Sequence, residues 1–382
     1  MPSNSQDSRW MRLALAEAAR GRGLVEPNPM VGAVIVRDNQ PIGIGHHARF
    51  GGDHAEVAAL KNCREAAAGA TMHVTLEPCS HFGKTPPCVD AIITAGLRRV
   101  VVAVGDPNPR VNGQGLQRLR ENGIAVELWE SASEIARDAY LLNLPFFKKI
   151  VKAQPHVIAK WAMTLDGRMA LATGDSRWIS NDRSRALVHE LRGRVDAVMV
   201  GIGTALADDP ALTARPPGPR SQVRIVIDPR AQLPLASHLA MTARQSPVWL
   251  LVSEEAPAES VKALEQAGCR VIRLQSDHDT GAIDPQTILD FLGSEGLTNI
   301  LLEGGSRTLG RFFAAGAIDE VQVFIAPKLF GGPPRFTPVD SSQILSMENV
   351  PELIEITRRE IGDDTLVRGV VPNHWISNLL SS

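Results

Sequence analysis

Apolar and polar positions along this chain change period often, and each change marks an element. From Arg9 to Arg20 (RWMRLALAEAAR) the apolar residues recur at helical spacing, and Gly21-Arg22-Gly23 closes that helix. Val31 to Val36 is an apolar run of strand length, and Asp38-Asn39 turns it into a second strand ending near Gly45. Beyond the Gly51-Gly52-Asp53 loop, His54 to Arg64 (HAEVAALKNCR) reads as a helix beginning at the histidine. The apolar run Val74 to Leu76 ends at Pro78, so Cys79 is expected to open the next helix or turn, with Val89 to Ala95 helical. Arg99 to Val104 has the composition of a strand buried on both faces. Gly115 to Asn122 then reads as a helix, Ile124 to Leu128 as a strand, and Glu134 to Leu144 as a helix stopped by Pro145.

The alternation continues. Val157 to Trp161, Asp196 to Val200, Val223 to Ile227, Val248 to Val252, Arg270 to Leu274 and Asn299 to Leu302 read as strands. Asp182 to Arg192 reads as a helix, and another runs from the glycines after Leu302 through Ala315. Strands alternating with helices predict an α/β protein. At 382 residues the chain is long enough for two or three domains. The stretch after Val371 carries no readable pattern.

Composition narrows the classes. Hydrophobic content of 44% and charged content of 21% are those of a globular protein, and a net charge of −2 gives no basic footprint for nucleic acid. No run of residues approaches a membrane span, and Met1 to Ser8 lacks an apolar signal core. Four cysteines argue against a disulfide framework and for a reducing compartment, so a cytoplasmic enzyme is expected, with Cys63 and Cys269 as packing residues.

The chemistry sits between His54 and Cys88. His54-Ala55-Glu56, Pro78-Cys79 and Cys88 supply one imidazole and two thiolates, which hold zinc while leaving a fourth position for water. Zinc lowers the pKa of a bound water to about 7, and a carboxylate such as Glu56 can carry its proton to a leaving amine. Zinc deaminases use that arrangement, although their usual signature has two residues between the cysteines, not the eight found here. Taken singly, each of these residues is as well explained by packing. In the second half, Gly201-Ile202-Gly203-Thr204 is a weak cofactor signal. Glu303-Gly304-Gly305-Ser306-Arg307, between a strand and a helix, is a plausible pyrophosphate cradle.

The interval T-L-E-P-C-S-H-F-G-K-T-P-P-C resembles the pyrimidine deaminase of riboflavin biosynthesis. The chain from about Trp10 to Val371 resembles the bifunctional bacterial deaminase/reductase family, with K-W-A-M-T-L-D-G-R-M-A, G-T-A-L-A-D-D-P-A-L-T-A-R and L-L-E-G-G-S-R-T-L in its second half. That resemblance implies a cytidine-deaminase-like α/β/α sandwich followed by a dihydrofolate-reductase-like α/β domain, with a boundary near residue 150, giving 1–150 and 151–382. It implies one Zn2+ on His54, Cys79 and Cys88, with Glu56 catalytic, and a deaminase substrate pocket of Asn28, His47, Lys84, Asp106 and Asn108. In the reductase it implies NADPH contacts at Ala162, Trp178, Thr204, Asp208, Gly305 and Ser306, and substrate contacts at Ser176, Arg192, Leu212, Arg215 and Glu303. The partner expected is a small phosphoribosyl-pyrimidine, with no nucleic acid and no membrane, and the chain is expected to form a homo-oligomer. Two rivals stay open from the residues alone: a nucleoside or tRNA deaminase with an unrelated appendage, and a zinc-stapled module without turnover.

Overall fold

The computed structural model describes residues 5–81, 86–108, 111–176, 178–331, 336–340 and 346–381. The chain forms two compact units, one running up to Ala153 and joined by the C-terminal stretch from His374, the other spanning Gln154–Asn373. The tail thus corrects the 151–382 assignment. Its helix, His374–Ser381, buries Trp375 and Ile376, a pairing too short to show as a period in the sequence.

The first unit is a five-stranded sheet. Its strands are β1 (Gly32–Arg37), β2 (Gln40–His46), β3 (Thr71–Val74), β4 (Arg99–Val102) and β5 (Ala125–Leu128), in the order β2-β1-β3-β4-β5. β1 is antiparallel to β2 and β3, whereas β3, β4 and β5 are parallel. Its helices are α1 (Ser5–Ala18), α2 (Ala55–Lys61), α3 (Cys88–Thr94), α4 (Gln114–Glu121), α5 (Glu134–Leu142) and α6 (Leu144–Lys152). The buried faces of β1, β3 and β4 build the core with Ala55, Ala59, Val89, Ile92 and Leu119 from the helices.

Two local expectations need correction. Cys79 opens no helix; it lies in the loop after β3, and Cys88 is the first residue of α3. Pro145 does not merely stop a helix but stands in the first turn of α6, where the missing N–H has no intrahelical partner to lose. The break falls at Asn143, whose side chain accepts from Met30 N at 2.8 Å and donates to Met30 O at 2.9 Å. That exchange anchors the loop carrying Asn28 to the start of α6.

The second unit is a nine-stranded sheet. Its strands are β6 (His156–Thr164), β7 (Ala197–Gly201), β8 (Val223–Ile227), β9 (Val248–Ser253), β10 (Arg270–Leu274), β11 (Asn299–Leu302), β12 (Glu320–Ala326), β13 (Ile354–Ile361) and β14 (Asp364–Val370). The order is β10-β9-β8-β7-β11-β6-β12-β14-β13, parallel except for β14 against β12 and β13 against β14. β7 and β11 are buried along their whole length, which is why they read as runs dominated by apolar residues. Helices α7 (Asp182–Arg192) and α8 (Ile202–Asp208) flank β7, and the helix Ser306–Ala314 follows β11. Among the described residues no helix is long and apolar enough to cross a membrane.

Candidate active sites

Glycines in β2 place the first site. A Cβ at Gly45 would stand 2.3 Å from Ala59 N and 2.7 Å from Ala55 O, and one at Gly43 would stand 2.4 Å from Ala59 O. Only glycine lets α2 lie this close to the strand, and that contact fixes where α2 begins. His54 is its N-cap residue, and Glu56 falls in its first turn. The loop after β3 brings Glu77 and Cys79 to the carboxyl edge of the sheet, and the loop after β4 brings Asp106 and Asn108 there.

His54 Nδ1 lies 3.6 Å from Cys79 Sγ and 3.2 Å from Cys88 Sγ, and the three donor atoms all lie within 4.8 Å of one another. A tetrahedral zinc, about 2.3 Å from sulfur and about 2.0–2.1 Å from nitrogen, needs N···S spacings of about 3.6 Å. The donor set fits the ion. Cys88 N donates to Cys79 Sγ at 3.3 Å, a backbone contact that suits a thiolate. The Cys88 thiol, hydrogen-bonded to Cys79, pulls Cys79 down to about 4, and His54 helps against burial. Cys88 itself is pushed up, first by Cys79 and then by burial. A divalent cation makes thiolates of both.

Glu56 is only 3% exposed. Burial pushes its carboxyl up to about 7, and the charge of Cys79 adds to the effect. A carboxylate buried beside the metal donors His54 and Cys79 is placed to carry a proton.

Hydrogen bonds assign the state of His47. Its Nδ1 lies 2.9 Å from the carbonyl of Asp53, which only accepts, so Nδ1 donates. Nε2 is then an acceptor and takes an N–H from Asn28 Nδ2 at 3.2 Å. Burial lowers the pKa of this ring, in agreement with a neutral imidazole. The Asn28 amide keeps its carbonyl and one N–H for another partner.

A cavity of about 300 Å³ gathers Asn28, His47, His54, Glu56, Cys79, Asp106 and Asn108. Burial pushes the Asp106 carboxyl up to about 6, with Glu77 adding to it against a hydrogen bond from Asn108 N. Lys84 lies outside the described residues. Sequence reasoning passes over Phe50, Glu77, His81 and Phe146, which line the same cavity. The one signal for Glu77 is a carboxylate at the end of an apolar run.

The second unit holds a cavity of about 960 Å³. It is lined by Ser176, Thr204, Asp208, Gly305 and Ser306 of the expected residues, together with Gly201 and Gly304. A Cβ at Gly201 would stand 2.3 Å from Thr308 Oγ1, one at Gly304 3.0 Å from Thr308 Cβ, and one at Gly305 3.3 Å from Thr204 Oγ1. Bare backbone is therefore brought up to the start of the helix Ser306–Ala314, whose free N–H groups suit a pyrophosphate. Size and cradle both fit a dinucleotide.

Arg192, Glu303 and Arg215 are not among the residues lining that cavity. Arg192 grips Glu303 through two bonds, Nε to Oε1 at 2.6 Å and Nη2 to Oε2 at 2.8 Å. Burial raises the Glu303 carboxyl, but Arg192 outweighs it and holds the group at about 2. His189 donates from Nδ1 to Thr213 O at 3.1 Å, and its pKa is lowered by burial, Arg192 and Arg215, so the two arginines share one neighbourhood. Lys160, which the sequence does not single out, is half-buried beside this cluster with its pKa lowered, chiefly by desolvation; Glu303 and Arg192 both act on it. Ala162, Trp178 and Leu212 do not line the cavity either. Ala162 pairs with Phe324 across β6 and β12, and Leu212 is buried at a positive φ of 55°. Trp178 is 66% exposed, with the Arg185 guanidinium 4.3 Å over its ring.

A three-donor metal site beside a buried carboxylate, and a dinucleotide-sized cradle on a separate sheet, define a two-activity enzyme, a hydrolase joined to an oxidoreductase. Comparison with known proteins makes this specific. Residues 4–104 match the cytidine and deoxycytidylate deaminase zinc-binding region, and residues 155–367 match the RibD C-terminal domain. The riboflavin biosynthesis protein RibD of Aquifex aeolicus is 42% identical over 326 residues, covering 85% of this chain and 88% of its own. That of Actinobacillus pleuropneumoniae is 38% identical over 376 residues, covering 97% and 98%. Among solved structures, an Acinetobacter baumannii RibD superposes with a TM-score of 0.80 at 33% identity, covering 96% of this chain and 99% of its own. A Thermotoga maritima diaminohydroxyphosphoribosylaminopyrimidine deaminase/5-amino-6-(5-phosphoribosylamino)uracil reductase gives 0.79 at 34% identity, with the same coverage.

The chain belongs to the RibD family of bifunctional deaminase/reductases of riboflavin biosynthesis. Its units are cytidine-deaminase-like and dihydrofolate-reductase-like, and its cofactors are Zn2+ and NADPH.

Proposed function

We propose that the first unit deaminates 2,5-diamino-6-(5-phosphoribosylamino)pyrimidin-4-one, and that the second reduces the ribosyl group of the product to give 5-amino-6-(5-phosphoribitylamino)uracil. The observation that carries the reading is the cavity lined by His54, Cys79, the buried carboxylate of Glu56 and an Asn–His pair, with Cys88 completing the set of three metal donors. The Thermotoga maritima relative is named for both activities.

His54 Nδ1, Cys79 Sγ and Cys88 Sγ hold the zinc, which when bound supplies an acidified water. Glu56 accepts a proton at its carboxylate and delivers it to the departing amine. Asn28, held by His47, presents its remaining carbonyl and N–H to the pyrimidine edge. Asp106 and Asn108 contact the base or ribose, and Lys84 the phosphate. In the second unit NADPH supplies a hydride. Thr204, Asp208, Gly305 and Ser306 hold that cofactor in the cradle, and contacts from Ala162 and Trp178, which do not line it, rest on the family resemblance alone. Ser176, Arg192, Leu212, Arg215 and Glu303 orient the substrate. Four free cysteines, two of them metal donors, support a cytoplasmic setting. We further propose a homo-oligomer, on the family resemblance alone.

Two measurements bear on these roles. A chelator that strips the metal should stop ammonia release and leave NADPH oxidation on deaminated substrate near its starting rate, with zinc restoring the first; parallel loss of both activities would refute the division. Arg215→Ala should weaken binding of the phosphorylated substrate to the reductase by about one to two decades, the worth of a charge-assisted hydrogen bond of roughly 1.5–3 kcal/mol. A dephosphorylated analogue should lose little. Equal losses for the two ligands would show that Arg215 does not read the phosphate.

A further inference from the structure

Glu77 is 4% exposed, lines the deaminase cavity and has no part in the chemistry assigned above. Its carboxylate is fully occupied by backbone. Oε2 accepts from Asp106 N at 3.3 Å and Gly113 N at 3.0 Å, and Oε1 accepts from Gly115 N at 3.1 Å and Leu116 N at 3.4 Å. A carboxylate has about four lone-pair sites, so none is left to grip a ligand. The partners are not scattered. Asp106 lies in the loop that follows β4, Gly113 is the N-cap residue of α4, and Gly115 and Leu116 lie in its first turn, whose N–H groups have no intrahelical acceptor.

The same loop is tied from other sides. Glu77 N donates to Val104 O at 3.0 Å, two residues before Asp106. Within it, Asn108 N donates to Asp106 Oδ1 at 2.8 Å, and Asn108 O accepts from Val111 N and Asn112 N at 2.8 and 3.0 Å. A Cβ at Gly115 would stand 2.2 Å from Pro78 O and 3.2 Å from Glu77 Oε1, so the start of α4 is pressed directly onto Glu77-Pro78.

The geometry points to Glu77 as the positioning residue of the deaminase pocket, a buried carboxylate that ties the backbone of Asp106 to the start of α4 and so sets where Asp106 meets the substrate. The inference rests on the reading of Asp106 as a substrate contact. Both glutamates of this pocket are buried, yet their tasks separate by their neighbours. Glu56 stands beside the metal donors, whereas the Glu77 carboxylate faces backbone N–H groups. Glu77→Gln turns an acceptor oxygen into an amide N–H aimed at other N–H groups, and the loop must shift to relieve it. A displacement on the scale of an ångström at a contact residue can cost about 10²-fold.

The test is a double-mutant cycle on the full-length, zinc-loaded chain, following ammonia release from the diamino substrate. Glu77→Gln should raise KM about 10- to 100-fold with a much smaller change in kcat, while zinc content and the reductase kinetics stay at wild-type values. Asp106→Asn should raise KM on its own, and adding Glu77→Gln to it should change KM by less than about threefold, since Glu77 acts through that residue. Equal KM factors in the two backgrounds, or loss of zinc with a fall in kcat, would overturn the proposal. A raised KM in Asp106→Asn with an unaltered KM in Glu77→Gln overturns it while leaving the Asp106 reading intact. An unaltered KM in Asp106→Asn defeats that reading and the proposal together. Should Glu77→Gln not fold, Glu77→Asp carries the same cycle. It keeps the charge but withdraws the carboxylate by one methylene, and the same KM comparisons decide for or against the clamp.

Discussion

Glu56→Gln keeps its zinc and loses deamination by about 10²–10⁴-fold, the range expected for removing a general acid–base group. Gln is close in size to Glu and keeps one acceptor oxygen, but it cannot carry a proton. Glu56 is not one of the three metal donors, so metal content should be unchanged. The reductase cradle belongs to the other unit, with its own sheet and core. Given deaminated substrate, the variant should therefore oxidise NADPH at close to the wild-type rate. Given the diamino substrate, it should oxidise almost none if the reductase requires the uracil form. Parallel collapse of both activities in a folded variant would mean that the two sites are coupled. Undiminished deamination would remove Glu56 from the mechanism.

Cys79→Ser and Cys88→Ser should each lower zinc content and abolish deamination. Serine supplies a hard, weakly acidic oxygen where a soft thiolate is needed, and a site with only three protein donors has none in reserve. The two variants should differ in their collateral effects. Cys88 is fully buried as the first residue of α3, so the smaller serine side chain leaves unfilled space there and should also cost stability. Cys79 lies in a loop and is partly exposed, so its variant should melt nearer the wild-type temperature of the apoprotein. Zinc analysis and thermal melts decide this. Stoichiometric zinc in both variants would refute the ligand assignment.

What the sequence discloses and what it withholds divide along physical lines. The donors and Glu56 are legible because they sit on short, rigid local motifs: an H-x-E at a helix start and a Pro-Cys after a strand. Strands such as β8 and β11 are legible at their full extent because their interiors are buried and the run is dominated by apolar, β-favouring residues. The last three strands escape sequence reading; β13, for one, is largely exposed, and its polar residues mask the period. Pro145 reads as a stop because a proline signal is the same before a helix as after one; only the inward bonds of Asn143 to Met30 reveal the break. Which histidine nitrogen faces the thiols has no sequence signature at all. Nor does the role of Glu77, whose partners are N–H groups 29 to 39 residues away and carry no side-chain identity to read.

The central claim is that one chain performs two consecutive reactions in two separate sites. Product identification by mass tests it most directly. The purified protein should be incubated with the diaminopyrimidine ribosyl phosphate, first without and then with NADPH. Without NADPH the reaction should stop at the deaminated ribosyl product, one exocyclic amine having been replaced by oxygen. With NADPH, that product should gain two hydrogens to give the ribityl compound. A reduced product that retains the amine, or no deamination until NADPH is added, would contradict the claim.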